Sequence, residues 1–295
     1  MQFQIKRDIL LKSLSVAHNI IEKRNTLPIL ANVLLEIKNK VLNIVATDLD
    51  IVYKDEITDL KIDKEGSTTT SATVLYDLLR KLPSNLDINF DLVNANKLKI
   101  TAKNSKFNLL CLPVDDFPNF SSDFKSKAFH LDGNKFLSLL NKTKISMSND
   151  DTRHYLNGIY IHLTASNKNS YLAAVATDTH RLSSSSIPVK DFDSFKPFIL
   201  PKKTVFQLCN LLQENSKDTQ LYVGDTKIQF KIGNSTIVSK VIDGKFPDYE
   251  KVVPKNNNKI LNVNAKDFIN SVERVITVSI DRKEGVKLTL EKDRI

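Results

Sequence analysis

A repeat of about 130 residues runs through the 295-residue chain, too long for a solenoid unit and right for a whole domain. Ile44-Val45-Ala46-Thr47-Asp48 recurs as Ala174-Val175-Ala176-Thr177-Asp178, an offset of 130. Asp116-Phe117-Pro118-Asn119-Phe120 recurs as Lys245-Phe246-Pro247-Asp248-Tyr249, an offset of 129. Leu75, Leu78, Leu79 and Leu82 recur as Val205, Leu208, Cys209 and Leu212, again shifted by 130. Phe3-x-Ile5 with Leu10 recurs as Phe129-x-Leu131 with Phe136, shifted by 126, and a third start reads Leu261-x-Val263 with Phe268. These matches place copy one at 1–125, copy two at 127–255 and the start of copy three at 259–295. The third copy holds 37 residues, so the period predicts a truncated three-domain chain, about 90 residues short, ending after the strand-like Val286–Leu290.

Within copy one the pattern predicts a strand at Phe3–Ile5, then a helix whose Leu10, Leu14, Ala17 and Ile21 share one face. Stretches rich in β-branched residues predict strands at 32–37, 41–48 and 50–57. A second helix is predicted over Ser71–Leu82, stopping before Pro83. Strands at 86–93, 97–102 and 107–113 close the copy. The fold class is α+β: repeated domains, each with two helices packed on antiparallel sheet. Cys209 takes the place of Leu79 on a helix face and Cys111 lies in a strand, so both read as core thiols.

Composition removes several function classes. No apolar run nears the roughly 18 residues of a membrane span, and MQFQIKRDIL lacks a signal-peptide core, so the cytoplasm is expected. Two cysteines give neither a disulfide framework nor a Cys-based zinc site. Neither GxGxxG nor GxxxxGK[ST] occurs, and no cofactor is expected. Asp178 and His180 are the one pair with metal-ligand character, which leaves a metal-dependent phosphoesterase as the alternative function. Copy one has Thr47-Asp48-Leu49-Asp50 with no histidine, and a turn-forming role at a strand end explains both Asp48 and Asp178. The chain reads as a non-enzyme.

The net charge of +9, 43 basic against 34 acidic residues, points to a polyanion, although an A/T-rich coding bias gives the same Lys, Asn and Ile excess. Basic residues recur at helix starts and polar faces: Arg7, Lys12, Arg24, Arg80, Lys81, Lys135, Lys142, Lys144, Lys202, Lys203, Lys266 and Arg274. Side by side, such faces make sequence-independent, salt-dependent phosphate contacts; the competing reading is a solvated helix surface. Copy two adds Arg153, Leu156, Thr177, His180, Arg181, Leu182, Pro247 and Val252, apolar and charged residues suited to docking a short peptide or to an ordinary domain junction.

The strings Thr26-Leu27-Pro28-Ile29-Leu30-Ala31-Asn32, Ala46-Thr47-Asp48-Leu49, Tyr155-Leu156-Asn157-Gly158-Ile159, Ala176-Thr177-Asp178-Thr179-His180-Arg181-Leu182 and Asp243-Gly244-Lys245-Phe246-Pro247-Asp248-Tyr249 occur in order along the chain. In these the sequence resembles the bacterial DNA polymerase III beta subunit family, the sliding clamps. The resemblance implies a head-to-tail homodimeric ring around duplex DNA, helices lining the hole. It also implies a pocket for linear motifs of the polymerase III alpha and delta subunits and of repair proteins. It implies DNA-facing Arg24, Arg80, His154, Tyr155, Lys202 and Lys203, and a peptide pocket of Arg153, Leu156, Thr177, His180, Arg181, Leu182, Pro247 and Val252. Phe107, Leu109 and Val278 match dimer-seam positions, while Thr179 stands where many relatives have Gly.

Overall fold

The computed structural model describes residues 1–21, 27–120, 124, 126–166, 169–190, 195–214, 218–278, 285–291 and 294–295. Copy one runs β1 (Gln2–Lys6), α1 (Arg7–Ile20), β2 (Asn32–Lys38), β3 (Val41–Thr47), β4 (Ile51–Ile57), β5 (Lys61–Lys64), β6 (Gly66–Ser71), α2 (Ala72–Lys81), β7 (Asp87–Asn94), β8 (Lys97–Ala102) and β9 (Ser105–Leu112). Copy two runs β10 (Phe129–Asp132), α3 (Gly133–Thr143), β11 (Gly158–Ser166), β12 (Asn169–Thr177), β13 (Leu182–Val189), β14 (Phe198–Pro201), α4 (Lys202–Glu214), β15 (Asp218–Val223), β16 (Lys227–Ile232) and β17 (Ser235–Lys240).

The predicted apolar faces are the buried ones. Leu10, Leu14 and Ala17 of α1 are fully buried, as are Leu75 and Leu79 of α2 and Leu208 and Leu212 of α4. Ser71 caps α2, its hydroxyl accepting from the Val74 N–H, and Asp132 caps α3 through the Lys135 N–H. Cys111 and Cys209 are buried core thiols, and burial pushes both pKa values up.

Every strand pairing is antiparallel. One sheet runs β10-β15-β16-β17-β4-β3-β2-β6-β9-β8-β7-β1-β5 and a second runs β13-β12-β11-β14. The β17–β4 ladder, from Ser235↔Asp55 to Ser239↔Ile51, fuses the copies into one sheet. Met1–Phe246 therefore packs as one compact unit and Pro247–Ile295 as another. In the first unit α1 packs on α2, α3 on α4 and α1 on α4, forming a helical layer against the sheets.

Two strands of copy one have no apolar signature, and the sequence pattern misses them. β5, KIDK, is a short charged strand paired to β1. β6, GSTTTS, is held by hydroxyls instead of apolar side chains: Thr69 Oγ1 donates to the Leu112 carbonyl at 2.9 Å and Thr70 Oγ1 to that of Leu110 at 3.0 Å. Buried threonines are stable there because each hydroxyl has a partner.

In the second unit, α5 (Ala265–Ile276) forms where the repeat places a helix, with Asn264 Oδ1 accepting from the Lys266 and Asp267 N–H groups. No residue of α5 is buried; Phe268 and Val272 are half-buried and Ile269 and Val275 exposed. The strands expected at Leu261–Val263 and Val286–Leu290 do not form, since among the described residues neither has a ladder partner. No described helix is long and apolar enough to cross a membrane.

Candidate nucleic-acid interface and partner site

The helical layer is the first candidate surface. Its four helices carry eight Lys and Arg against three Asp and Glu, so the layer is positive although the chain holds many acids. Several of these cations hold the layer together. Arg7 of α1 donates to the Leu79 and Arg80 carbonyls at 2.8 and 3.1 Å, and Lys12 pairs with Glu214 of α4 at 3.2 Å. Arg80, in the last turn of α2, is half-exposed, paired with Asp77 at 3.2 Å. Lys202 and Lys203 open α4: Lys202 Nζ donates to Asn149 Oδ1, and Lys203 Nζ pairs with Asp48 of copy one. Lys203 thereby ties one copy to the other. Arg24 lies outside the described residues.

His154 and Tyr155 sit on a turn of 3-10 helix, Asp151–Leu156, that precedes β11. His154 Nε2 lies 3.1 Å from the Asp243 carbonyl, and the two rings meet edge to face at 5.9 Å. Gly244, at φ +141, passes so close that a Cβ there would stand 3.1 Å from Tyr155 Cβ. That close approach requires glycine within the Asp243-Gly244-Lys245 string.

The second candidate surface is the β12–β13 turn. Thr177 Oγ1 donates to the Arg181 carbonyl at 2.8 Å and accepts from the Thr179 N–H at 3.1 Å. Asp178 Oδ1 accepts from the His180 and Arg181 N–H groups at 3.1 and 3.0 Å, and Oδ2 from Arg181 Nε at 3.0 Å. Burial alone would push the Asp178 carboxyl up, but the backbone donors and the Arg181 guanidinium outweigh it and hold it below its ordinary value. Copy one repeats this turn: Asp48 Oδ1 accepts from Asp50 and Ile51 N–H groups at 2.9 and 2.8 Å, and Leu49 at φ +79 matches Thr179 at φ +76. A β-branched residue is strained at that φ, which explains why glycine suits the position.

The same turn does different work in the two copies. In copy one the outer oxygen of Asp48 takes Lys203 from copy two; in copy two Arg181 closes on Asp178 of its own turn. Ile51 stands where copy two has Arg181, so only copy two can close the turn upon itself. Arg153 joins this cluster, its Nε on Asp150 Oδ2 at 2.8 Å and Nη1 on Thr179 Oγ1 at 3.3 Å. Asp150, which the sequence reading overlooked, is signalled by its i, i+3 spacing to Arg153. The hydroxyl of Thr152 and the Arg153 guanidinium hold its carboxyl below the ordinary range.

His180 and Arg181 are exposed and Thr177 and Leu182 half-buried, whereas Leu156 is 1% exposed and belongs to the core beneath them. Pro247 and Val252 are exposed residues of the second unit, as is Val278. Phe107 and Leu109 lie half-buried on β9, packed against the core of the first unit.

Family models of the DNA polymerase III beta subunit match the chain twice: the N-terminal domain over residues 1–121 and the central domain over 130–248. The chain belongs to the DNA polymerase III beta subunit family, the beta sliding clamps. It is 39% identical over 297 residues to the beta sliding clamp of Caulobacter vibrioides, an alignment covering 100% of this chain and 80% of that clamp. The Rickettsia felis clamp is 32% identical over 295 residues, covering 99% of this chain and 76% of the relative. The solved Caulobacter crescentus pol III beta superposes with a TM-score of 0.88 at 38% identity, covering 96% of this chain and 76% of that one. A Bartonella birtlesii clamp bound to griselimycin superposes with a TM-score of 0.90 at 38% identity, covering 96% and 76%.

The clamp assignment leaves the phosphoesterase alternative without support. Both oxygens of Asp178 are engaged within its own turn, and among the described residues no group of three or more His, Cys, Asp or Glu could hold a metal ion. The relatives are sliding clamps.

Proposed function

We propose that the chain acts as the family does, as a non-catalytic processivity factor that holds duplex DNA against its helical layer and tethers polymerase III and other DNA-processing proteins. The observation that carries this is the helical layer α1–α4, eight basic residues against three acidic, with α1 and α2 packed on the sheet that spans both copies, α3 and α4 mainly on the β13-β12-β11-β14 sheet, and α1 packed on α4. Such a surface meets phosphates without reading bases, which suits a protein that must slide. The clamp domains are 1–125, 127–255 and 259–295. Arg80, Lys202, His154 and Tyr155 meet the duplex, with Lys203 divided between DNA and Asp48, while Arg24, outside the described residues, is assigned to DNA by the sequence resemblance alone. Arg153, Thr177, His180, Arg181 and Leu182 receive the charged and polar ends of a partner peptide above the Leu156 floor. Phe107 and Leu109 of β9 form one side of a head-to-tail dimer seam. The site of action is the cytoplasm, where bacterial replication takes place.

A titration of a fluorescent clamp-binding peptide tests the pocket. His180→Ala and Arg153→Ala each weaken binding several-fold, about 1 kcal/mol per lost contact at a partly exposed rim. Unchanged affinity in both variants refutes the assignment. Salt-dependent duplex binding, weakened in Arg24→Ala, tests the DNA face in parallel.

A further inference from the structure

In each copy an aromatic ring of the second helix meets a side chain from the end of the first helix or just past it, an imidazole in copy one and an ammonium in copy two, at matching positions. In copy one the His18 ring, near the end of α1, lies parallel to Tyr76 of α2, centroids 4.6 Å apart and planes 19° apart. The Arg80 guanidinium sits 5.7 Å from the same Tyr76 ring. In copy two Lys144 Nζ, just past α3, sits 5.8 Å from the ring of Phe206 in α4. Tyr76 and Phe206 are 130 apart, the offset of the second helices, while His18 and Lys144 are 126 apart, the offset of Phe3 and Phe129.

Core packing does not demand a ring at either place. Phe206 is 42% exposed and Tyr76 half-buried, while the neighbouring positions Leu75 and Val205 do fill the core. Each pair sits instead at the open surface of the positively charged layer.

We propose that His18–Tyr76–Arg80 and Lys144–Phe206 are two contact platforms for the sugar–phosphate backbone of duplex DNA. The proposal deepens the clamp reading and rests on the helical layer facing the duplex. The ring face offers apolar contact to deoxyribose, and the cation above it meets the adjacent phosphate. Neither touches a base edge, so the platform is blind to sequence. Holding the cation over a ring also restricts a long side chain before binding, which lowers the ordering cost of each phosphate contact. Asp77 competes for Arg80, whereas Lys144 has no ion-pair partner among the described residues, so the second platform is the stronger.

The test uses the full chain and a labelled 30-base-pair duplex in anisotropy titrations at several low salt concentrations. Phe206→Ala is expected to weaken binding about three- to tenfold with the salt slope unchanged, since it removes apolar contact. Lys144→Met is expected to lower that slope by about one, the signature of one lost phosphate contact. Phe206→Tyr keeps the parent affinity. Phe206→Trp installs the sole tryptophan of the chain, and its emission shifts on adding duplex. Parent affinity in both Phe206→Ala and Tyr76→Ala, with a silent tryptophan, overturns the platforms alone. A folded parent that binds no duplex at low salt overturns the clamp reading as well.

Discussion

A single carboxylate organises the β12–β13 turn: Asp178 accepts two backbone N–H groups and a guanidinium, and Asp48 repeats the backbone part in copy one. Because the folded Asp178 sits below its ordinary pKa, its contribution to stability is complete above the unfolded value of about 3.9 and is lost as pH falls through the folded one. Asp178→Asn keeps the turn-forming oxygen and removes the titration. The variant is therefore expected to be slightly less stable than the parent at pH 7, with the two converging below about pH 4 in urea-unfolding midpoints. A constant gap from pH 7 to 3 contradicts this account. The Asx turn itself was legible in the sequence from a Thr-Asp pair at a strand end. The contact from Arg153 to Thr179 was not, because it joins residues 26 apart.

The elements divide by what signals them. Helices α1 to α4 announce themselves through 3.6-residue apolar periodicity, and the structure buries those faces. β6 carries no such signal, since its buried Thr68, Thr69 and Thr70 are polar, and the hydroxyls of Thr69 and Thr70 depend on partners in other strands. Thr70→Val keeps the shape and strips the Leu110 carbonyl of its donor. It is expected to cost about 1–2 kcal/mol in chemical denaturation, the penalty of leaving a part-buried acceptor without that bond. No loss would mean that shape alone holds the strand. α5 has the same periodicity as its counterparts but no buried face in the second unit, so amphipathicity alone does not determine burial.

At the scale of the molecule the junction between copies decides the architecture. Asp55 of β4 sits at its centre, with Ser13 of α1 donating to one oxygen and Ser235 of β17 donating to the other at 2.8 Å. Burial, then the Asp55 charge, pushes the neighbouring Tyr53 phenol far up, so it stays neutral at working pH. Lys12–Glu214 and Lys240–Asp50 span the same junction, but these pairs are half exposed and contribute little. Asp55→Ala is accordingly expected to lower stability by about 2 kcal/mol, through two lost bonds to a charged acceptor. Adding 1 M salt to the parent is expected to shift its thermal midpoint little, the Met1–Phe246 unit still melting in one transition. A salt-induced split into two transitions contradicts a junction held mainly by the β17–β4 ladder and Asp55.

The sequence by itself determined the repeat, the faces that its helices bury, the turns at Asp48 and Asp178 and the basic bias of the helical layer. Each follows from local chemistry or from a period that neighbouring residues share. Only the tertiary structure decided that β17 pairs with β4, that GSTTTS is a strand, that Lys203 is drawn to Asp48 while Arg181 closes on Asp178, and that Leu156 is floor and not rim. A pattern says which side of an element avoids water. Which distant donor meets which acceptor depends on how the elements come together, and that is a property of the packed chain.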